Sequence, residues 1–309
     1  MEPQCLVNAH NMVGECPLWH EEQNSIYWTD INGFTVQKYH LTTKELRTWS
    51  FGEVVCALSL TTNPKWFLVG LGSRLILWNP EEDRRIDFCK PEPNWPTNRL
   101  NDGATDPNGY FWIGSMRNNV APDGSDVKVV GNSGSLYRIG PSGKVTIWDT
   151  GFGISNTLAW SPDNKVFYFG CSIGNVIYAY DFDAKDSSIK RRRTFVCDLP
   201  YGMPDGSAMD VEGHLWNCRY GGGNILRISP QGTLVQIINM PVANITNCCF
   251  GGPDMRTMYI TTSSLGTNAE NSAGGLFSVR VDIAGVNANR FNLSEKLLYK
   301  ENDIRISPS

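Results

Sequence analysis

Short apolar segments alternate with polar turns along the chain, and one such pattern recurs six times. Each copy has a short apolar strand, a polar turn and a second strand with an aromatic or large apolar pair. In the first copy, residues 17–19 (PLW) precede the turn and residues 25–28 (SIYW) follow it. The other five copies begin at Ala57, Ala104, Leu158, Ala208 and Cys249. The recurrence predicts six equivalent β units.

A further segment follows each copy and alternates apolar with polar residues, which is the period of a half-buried strand. These segments are residues 35–39, 74–78, 135–139, 175–180, 224–228 and 275–279. The step between copies is about 40–55 residues, the size of one four-stranded propeller blade.

The spacing therefore predicts an all-β fold, a six-bladed β-propeller with four-stranded blades. Residues 1–309 are expected to form a single domain, because any division would cut the ring. Two β-sandwiches are the alternative, and six matching units argue against them. Because an open sheet edge is a liability, we expect the segment around residues 5–7 to pair with the last blade and close the ring.

Composition and charge exclude several classes of function. The net charge is −4, and the longest basic run, residues 190–193, is too short for a nucleic-acid-binding face. No apolar run approaches the ~20 residues of a membrane span, so we expect no membrane partner. Residues 1–10 lack the pattern of a signal peptide, which favours a cytoplasmic location.

Cysteine usage also favours a cytoplasmic location, and histidine usage argues against one kind of metal site. The nine cysteines are odd in number and include no C-x-x-C pair, so we expect reduced, mostly buried thiols. The four histidines are not close to one another in sequence, which argues against a histidine-rich zinc site.

Polar residues just before the innermost strands are the candidates for chemistry, since these strands line the channel of a propeller. They are Glu15, Arg99, Asn101, Asp102, Asn156, Asp205 and Asn247. Each alone is explained by a turn cap or a solvated loop. Together they converge on one end of one channel, where Glu, Asp and Asn oxygens suit a hard or borderline divalent ion. Three protein ligands leave positions open for water and substrate.

At these residues the sequence resembles the SMP-30/gluconolactonase/regucalcin family of six-bladed propellers. The resemblance implies a metal-dependent sugar lactonase. It places the metal ligands at Glu15, Asn156 and Asp205, with Asp205 also as general base or acid, and substrate contacts at Arg99 and Asn101. The matching segments are residues 14–19, 98–103, 106–109, 114–116, 155–156, 204–206 and 250–253.

Two positions depart from the family pattern. Asn119 stands where some members, notably the animal ones, have a glutamate that touches substrate. As an amide, Asn119 is expected to bind a substrate hydroxyl but not to act as a base. Cys171-Ser172 stands where the family often has Asp-Ser. Both departures bear on substrate identity more than on metal binding.

The expected reaction is hydrolysis of a sugar (aldono-)lactone to the sugar acid. One divalent cation would polarise the carbonyl, and Ca²⁺, Mg²⁺, Mn²⁺, Fe²⁺ and Zn²⁺ all accept such ligands. The loops near Trp95, Tyr201 and Tyr220 fit sugar stacking. The expected partner is this small molecule, and the chain is expected to be a monomer or a weak homo-oligomer.

Two alternatives stay open at this point. One is a hydrolase of a non-sugar lactone or of a phosphotriester. The other is a non-enzymatic metal-binding propeller that displays one face to a partner, which predicts an exposed apolar patch.

Overall fold

The computed structural model describes residues 2–94, 96–267 and 271–299 of the chain. Strand β1 (Gln4–Val7) comes first and belongs to the last sheet. The remaining strands form six antiparallel sheets in chain order, with a 3-10 turn at Glu21–Gln23 and a short helix α1 at Lys296–Tyr299. Blade one has β2 (Gly14–His20), β3 (Ser25–Asp30), β4 (Thr35–His40) and β5 (Leu46–Ser50); blade two has β6 (Val55–Leu60), β7 (Phe67–Leu71), β8 (Leu75–Asn79) and β9 (Arg84–Cys89); blade three has β10 (Asn98–Thr105), β11 (Phe111–Arg117), β12 (Gly134–Ile139) and β13 (Val145–Phe152); blade four has β14 (Ser155–Trp160), β15 (Val166–Cys171), β16 (Val176–Asp183) and β17 (Ser188–Cys197); blade five has β18 (Met203–Met209), β19 (Leu215–Tyr220), β20 (Asn224–Ile228) and β21 (Leu234–Asn239); blade six has β22 (Ile245–Gly251), β23 (Thr257–Thr262) and β24 (Leu276–Arg280).

The six sheets close into a ring, which confirms the predicted propeller. Each innermost strand packs against the next, and β22 packs against β2. Strand β1 completes blade six by pairing antiparallel with β24, with Cys5 opposite Phe277. The predicted ring closure by the N-terminal segment is therefore observed. The single-domain boundary at 1–309 stays a prediction, since residues 300–309 lie outside the described part.

The core lies between the blades. The indoles of Trp28, Trp78, Trp112 and Trp216, each on the second or third strand of its blade, are almost fully buried. All nine cysteines are free thiols, and five of them are buried. None of the described helices is long and apolar enough to span a membrane.

A β-bulge interrupts the innermost strand of every blade at a corresponding level. The register shifts between Glu15 and Leu18, Val55 and Ala57, Leu100 and Gly103, Asn156 and Leu158, Pro204 and Ser207, and Ile245 and Asn247. A bulge leaves residues unpaired and re-aims their side chains. The candidate residues were expected before the innermost strands; the structure places them inside these strands, at the bulges.

The chain after β24 crosses the end of the channel at which the innermost strands finish. In this strap, residues 281–298, the N–H of Val286 donates to Met209 O (2.9 Å) and that of Phe291 to Leu60 O (2.8 Å). A cavity of about 380 Å³ separates the strap from the level of Asp102 and Asn247. The other end, where β2 begins, is called the site end below.

Blades three and five each have a turn built on a buried aspartate. Asp210 Oδ2 accepts from Trp216 Nε1 (3.0 Å), and its Oδ1 accepts from the N–H groups of Glu212 and His214. Asp106 holds the indole of Trp112 in the same way (2.8 Å). The aspartate thus fixes both the turn and the tryptophan that packs between blades.

We expect Asp210→Ala to lower the free energy of unfolding by about 3 kcal/mol, because it leaves a buried indole N–H, two backbone N–H groups and Arg227 without their acceptor. Denaturant unfolding measures the change. Asp254→Ala in the corresponding turn of blade six is the control: its pair with Arg280 is exposed, so the change is expected to be much smaller. An equal loss of unfolding free energy in the two variants would show that burial of the Asp210 contacts adds nothing to stability.

Candidate metal centre and substrate pocket

The carboxyl groups of Glu15 and Asp205 meet at the site end of the channel. Glu15 directly precedes the bulge of β2 and Asp205 lies in the bulge of β18, and their side chains are in hydrogen-bond contact. Glu15 Oε2 also accepts from the N–H of Cys16 (2.7 Å) and from Asn247 Nδ2 (2.8 Å). Cys16 adopts a left-handed backbone (φ 48°), which lets its N–H face its neighbour's carboxylate. Blades one, five and six thus converge on one pair of acids.

Burial raises the pKa of both carboxyl groups, and the charge of Glu15 raises that of Asp205 further. Burial raises the pKa of Glu15, while hydrogen bonds from Asn247 and Cys16 act in the other direction. The pKa of Asp205 is raised well above its usual range by burial and by the negative charges of Glu15 and Asp102. Asp102 is buried too, and burial and Glu15 raise its pKa in turn. The site has more buried negative charge than the nearby Arg99 can neutralise, so it fits a cation.

Asn156 supplies an oriented amide oxygen beside the acids. Its Oδ1 accepts from Asn101 Nδ2 (3.1 Å) and keeps a second lone pair. Its Nδ2 donates to Ser172 Oγ (2.8 Å), which donates to Pro204 O (2.7 Å), next to Asp205. Two carboxylates and an amide oxygen are ligands that a hard divalent ion prefers. Within the described residues no three His, Cys, Asp or Glu side chains form a metal-holding cluster, so the site depends on this amide.

The predicted substrate residues form one hydrogen-bonded group on blade three. Arg99 donates through Nη1 to Asn101 Oδ1 (2.6 Å) and Leu100 O (2.9 Å), and through Nε to Asn119 Oδ1 (2.8 Å). Its Nη2 donates to no other residue in the described part of the chain. Burial lowers the pKa of Arg99, and surrounding acids partly offset this effect. The guanidinium therefore keeps one edge for an incoming oxygen.

The structure thus brings all six predicted site residues to one end of the channel, and it adds residues that sequence reasoning missed. Ser172 was noted only for the Cys171 beside it, yet Ser172 sets the orientation of Asn156. Arg219 was missed entirely because nothing in the sequence marks it as buried. It donates to Asn175 Oδ1 (2.7 Å) and Asn217 Oδ1 (3.0 Å) and holds the loop before β18; burial lowers its pKa to about 10.

Two of the aromatic residues proposed for sugar stacking lie in surroundings that differ from each other. Tyr220, at the end of β19, interacts electrostatically with Asp205, and burial raises its pKa. Tyr201 packs half-buried against the apolar cluster between blades four and five. Trp95 lies outside the described residues.

Comparison with known proteins gives the family. The model of the SMP-30/Gluconolactonase/LRE-like region matches residues 13–264. Regucalcin of Danio rerio is 32% identical over 270 residues, covering 86% of this chain and 88% of the relative, and human regucalcin is 30% identical over 283 residues, covering 89% and 93%. The chain therefore belongs to the SMP-30/gluconolactonase/LRE-like family.

Solved structures share the fold. A luciferin-regenerating enzyme is 28% identical with a TM-score of 0.86, and the match covers 94% of this chain and 99% of that one. A gluconolactonase from Xanthomonas campestris has 19% identity and a TM-score of 0.70, with 92% and 89% covered, and shows the fold alone.

The buried acids predict an inverse dependence of stability on pH in chelator-treated protein. A folded-state pKa raised above the unfolded value gives stability that is present below about pH 4 and is lost as pH rises through the folded pKa. Asp102→Asn keeps the acceptor for the N–H of Gly103 (2.9 Å) and removes one charge.

We therefore expect Asp102→Asn to raise the thermal midpoint at pH 8 by a few degrees and to change it little at pH 4.5, since about 1 kcal/mol is worth roughly 2–4 °C. Thermal scans across this range measure it. Equal shifts at both pH values would contradict the buried-charge account.

Proposed function

We propose that the protein is a divalent-cation-dependent lactonase that hydrolyses a sugar (aldono-)lactone to the corresponding acid. The observation that carries this proposal is the buried contact between Glu15 and Asp205, with the oriented Asn156 oxygen beside it. The family, which is named for gluconolactonase among others, supports the reaction class. Because fold alone does not give function, the reaction is inferred from the residues of the site.

Glu15, Asn156 and Asp205 would hold the cation. A divalent ion bound there supplies Lewis-acid polarisation of the lactone carbonyl. Ca²⁺, Mg²⁺, Mn²⁺, Fe²⁺ and Zn²⁺ all accept three oxygen donors of this kind. The remaining steps fall to the side chains of this chain.

Asp205 would be the general base and acid. A cation bound to Asp205 would favour the ionised carboxylate, which can accept a proton, while burial and the neighbouring acids act in the opposite direction and raise its proton affinity. It would accept a proton from water as the water oxygen bonds to the carbonyl carbon. When the ring C–O bond breaks, the same proton passes to the departing ring oxygen, which becomes a hydroxyl group of the product acid.

Arg99, Asn101 and Asn119 would orient the substrate. The free Nη2 of Arg99 can donate to a ring or hydroxyl oxygen. The hydrogen bond from Asn101 to Asn156 links this group directly to the metal site. The position of the substrate is therefore coupled to the position of the proposed metal ligand Asn156. Correct orientation of the reacting groups raises the reaction rate.

A non-sugar lactone is the second candidate, and exposed apolar side chains at the site end favour it. Ile173 directly follows Ser172 and Met203 begins β18; they are 47% and 38% exposed. An alkyl or aryl substituent could lie on them. Other exposed apolar residues, such as Leu46, Ile147 and Val235, lie on the outer strands of separate blades, and these isolated positions give no support to a scaffold that docks through an apolar face.

The decisive assay follows acid release from aldonolactones, alkyl lactones and a phosphotriester after chelator treatment and resupply of single divalent metals. We expect metal-dependent turnover of at least one aldonolactone. We expect Asp205→Asn to lower kcat by about 10²–10⁴-fold, because the acid–base group is lost. Asp198→Asn, an exposed residue on the preceding loop, is the control and should leave kcat unchanged. Near-wild-type activity of Asp205→Asn would refute the mechanism.

Ser172→Ala tests whether the amide orientation matters. Loss of the acceptor for Asn156 Nδ2 lets the amide rotate, so metal affinity should fall about tenfold. Cys171→Ala, one residue earlier, is the control and should retain wild-type affinity. Calorimetric metal titration measures both, and equal affinities of the two variants would show that Ser172 does not position the ligand.

A further inference from the structure

A hairpin from blade three spans the site end of the channel. In this site hairpin, residues 118–127, Val120 and Asp126 form an antiparallel bridge, and the N–H of Val127 donates to Asn119 O (2.7 Å). The tip docks on blade one, where Asn32 Nδ2 donates to Gly124 O (2.8 Å). Gly124 has φ +83°, and a Cβ there would lie 2.4 Å from Asn32 O, so the docked tip requires glycine. The hairpin is therefore held in place at both ends.

This hairpin carries a carboxylate to the substrate residues. Asn119 Nδ2 donates to Asp126 Oδ1 (3.1 Å), while Asn119 Oδ1 accepts from Arg99 Nε (2.8 Å). The neutral amide thus connects a guanidinium to a carboxylate. Asp126 is exposed, and its Oδ2 accepts from none of the other described residues. One carboxylate oxygen is therefore available to a ligand.

The charge of Asp126 acts across the channel. It interacts electrostatically with Arg99 on blade three and with Tyr220 on blade five. Its hydrogen bond to Asn119 and its exposure place the carboxylate at the solvent side of the substrate residues. Arg99 already interacts with Glu15 and Asp205, and Asp126 adds a further negative charge beside the guanidinium, at the exposed side of the site.

The same contacts give a physical reason for the amide at position 119. A glutamate there could only accept, and it would place a second carboxylate against Asp126. Like charges at hydrogen-bond distance disfavour joint ionisation. The amide and Asp126 together present one negative charge to the pocket, and this charge lies on Asp126 rather than at position 119.

Resting on the proposed lactonase function, we propose that Asp126 is a specificity-determining residue that selects neutral polyhydroxylated lactones over lactones carrying a carboxylate of their own. Its free oxygen accepts from substrate hydroxyl groups. Its charge repels a substrate carboxylate that Arg99 would otherwise attract.

The test compares D-glucono-1,4-lactone with D-glucaro-1,4-lactone, which differ at C6, a hydroxymethyl group in one and a carboxylate in the other. We expect wild-type kcat/KM to favour the neutral lactone. In Asp126→Asn the ratio of the two values should narrow at least about tenfold, with weaker use of the neutral lactone and better use of the anionic one. The double variant Asn119→Glu/Asp126→Asn returns the charge to the pocket and should keep a ratio near that of wild type.

Asp123→Asn is the matched control, because Asp123 lies on the same hairpin and bonds only within the tip, to Ser125. A ratio in Asp126→Asn equal to that in Asp123→Asn overturns the proposal. If wild type hydrolyses neither lactone, the proposed function fails separately. Calorimetric binding of the same two lactones to metal-loaded protein then decides the selectivity: a narrowed affinity ratio in Asp126→Asn supports it, and an unchanged ratio refutes it.

Discussion

The contact between two buried carboxyl groups, Glu15 and Asp205, is the constraint that organises the rest of the site. Two like charges stay together only if a rigid frame prevents them from separating or reaching water. The ring provides that frame: neither strand can shift without opening the packing of its neighbours. Two surrounding donors, the N–H of Cys16 and the Asn247 amide, stabilise the pair through hydrogen bonds to Glu15. The proposed divalent cation would balance these charges, and the composition of the site fits such an ion.

The bulges convert a repetitive scaffold into a specific one. Regular pairing directs alternate side chains into the packed faces between blades, so no regular innermost strand can aim a cluster of polar groups at the axis. One interruption per blade releases a residue or two from that alternation. Blades two and six use the same device without contributing a proposed metal ligand or substrate contact: Cys56 in blade two is buried, and Thr246 in blade six donates to Gly14 O. The residue types at these six equivalent positions therefore determine which blades contribute to the site.

Much of the architecture was predictable because it depends on local pattern. Alternating strands and turns at blade spacing gave six units, and Glu15, Asn156 and Asp205 stand in short, distinctive segments. The bulges were not predictable: they place these residues within strands rather than before them, and a register shift depends on the partner strand. Ser172, Arg219 and Asp126 were missed for a related reason. Each acts on a residue distant in sequence, as Arg219 does on Asn175, 44 positions away, and no local pattern records such contacts.

The closure of blade six by strand β1 has a consequence for the order of events at the ribosome. The first strand must wait for β24, and Glu15 must wait for Asn247, 232 residues later, before either finds its partner. At about 5–20 residues per second, the nascent chain spends tens of seconds or less with its two ends apart. A chain that has not yet reached Asn247 therefore lacks a hydrogen-bond donor to Glu15. At the proposed metal centre, ion binding would follow closure of the ring, and the ion would join blades one, four and five, whose sequences are synthesised at different times.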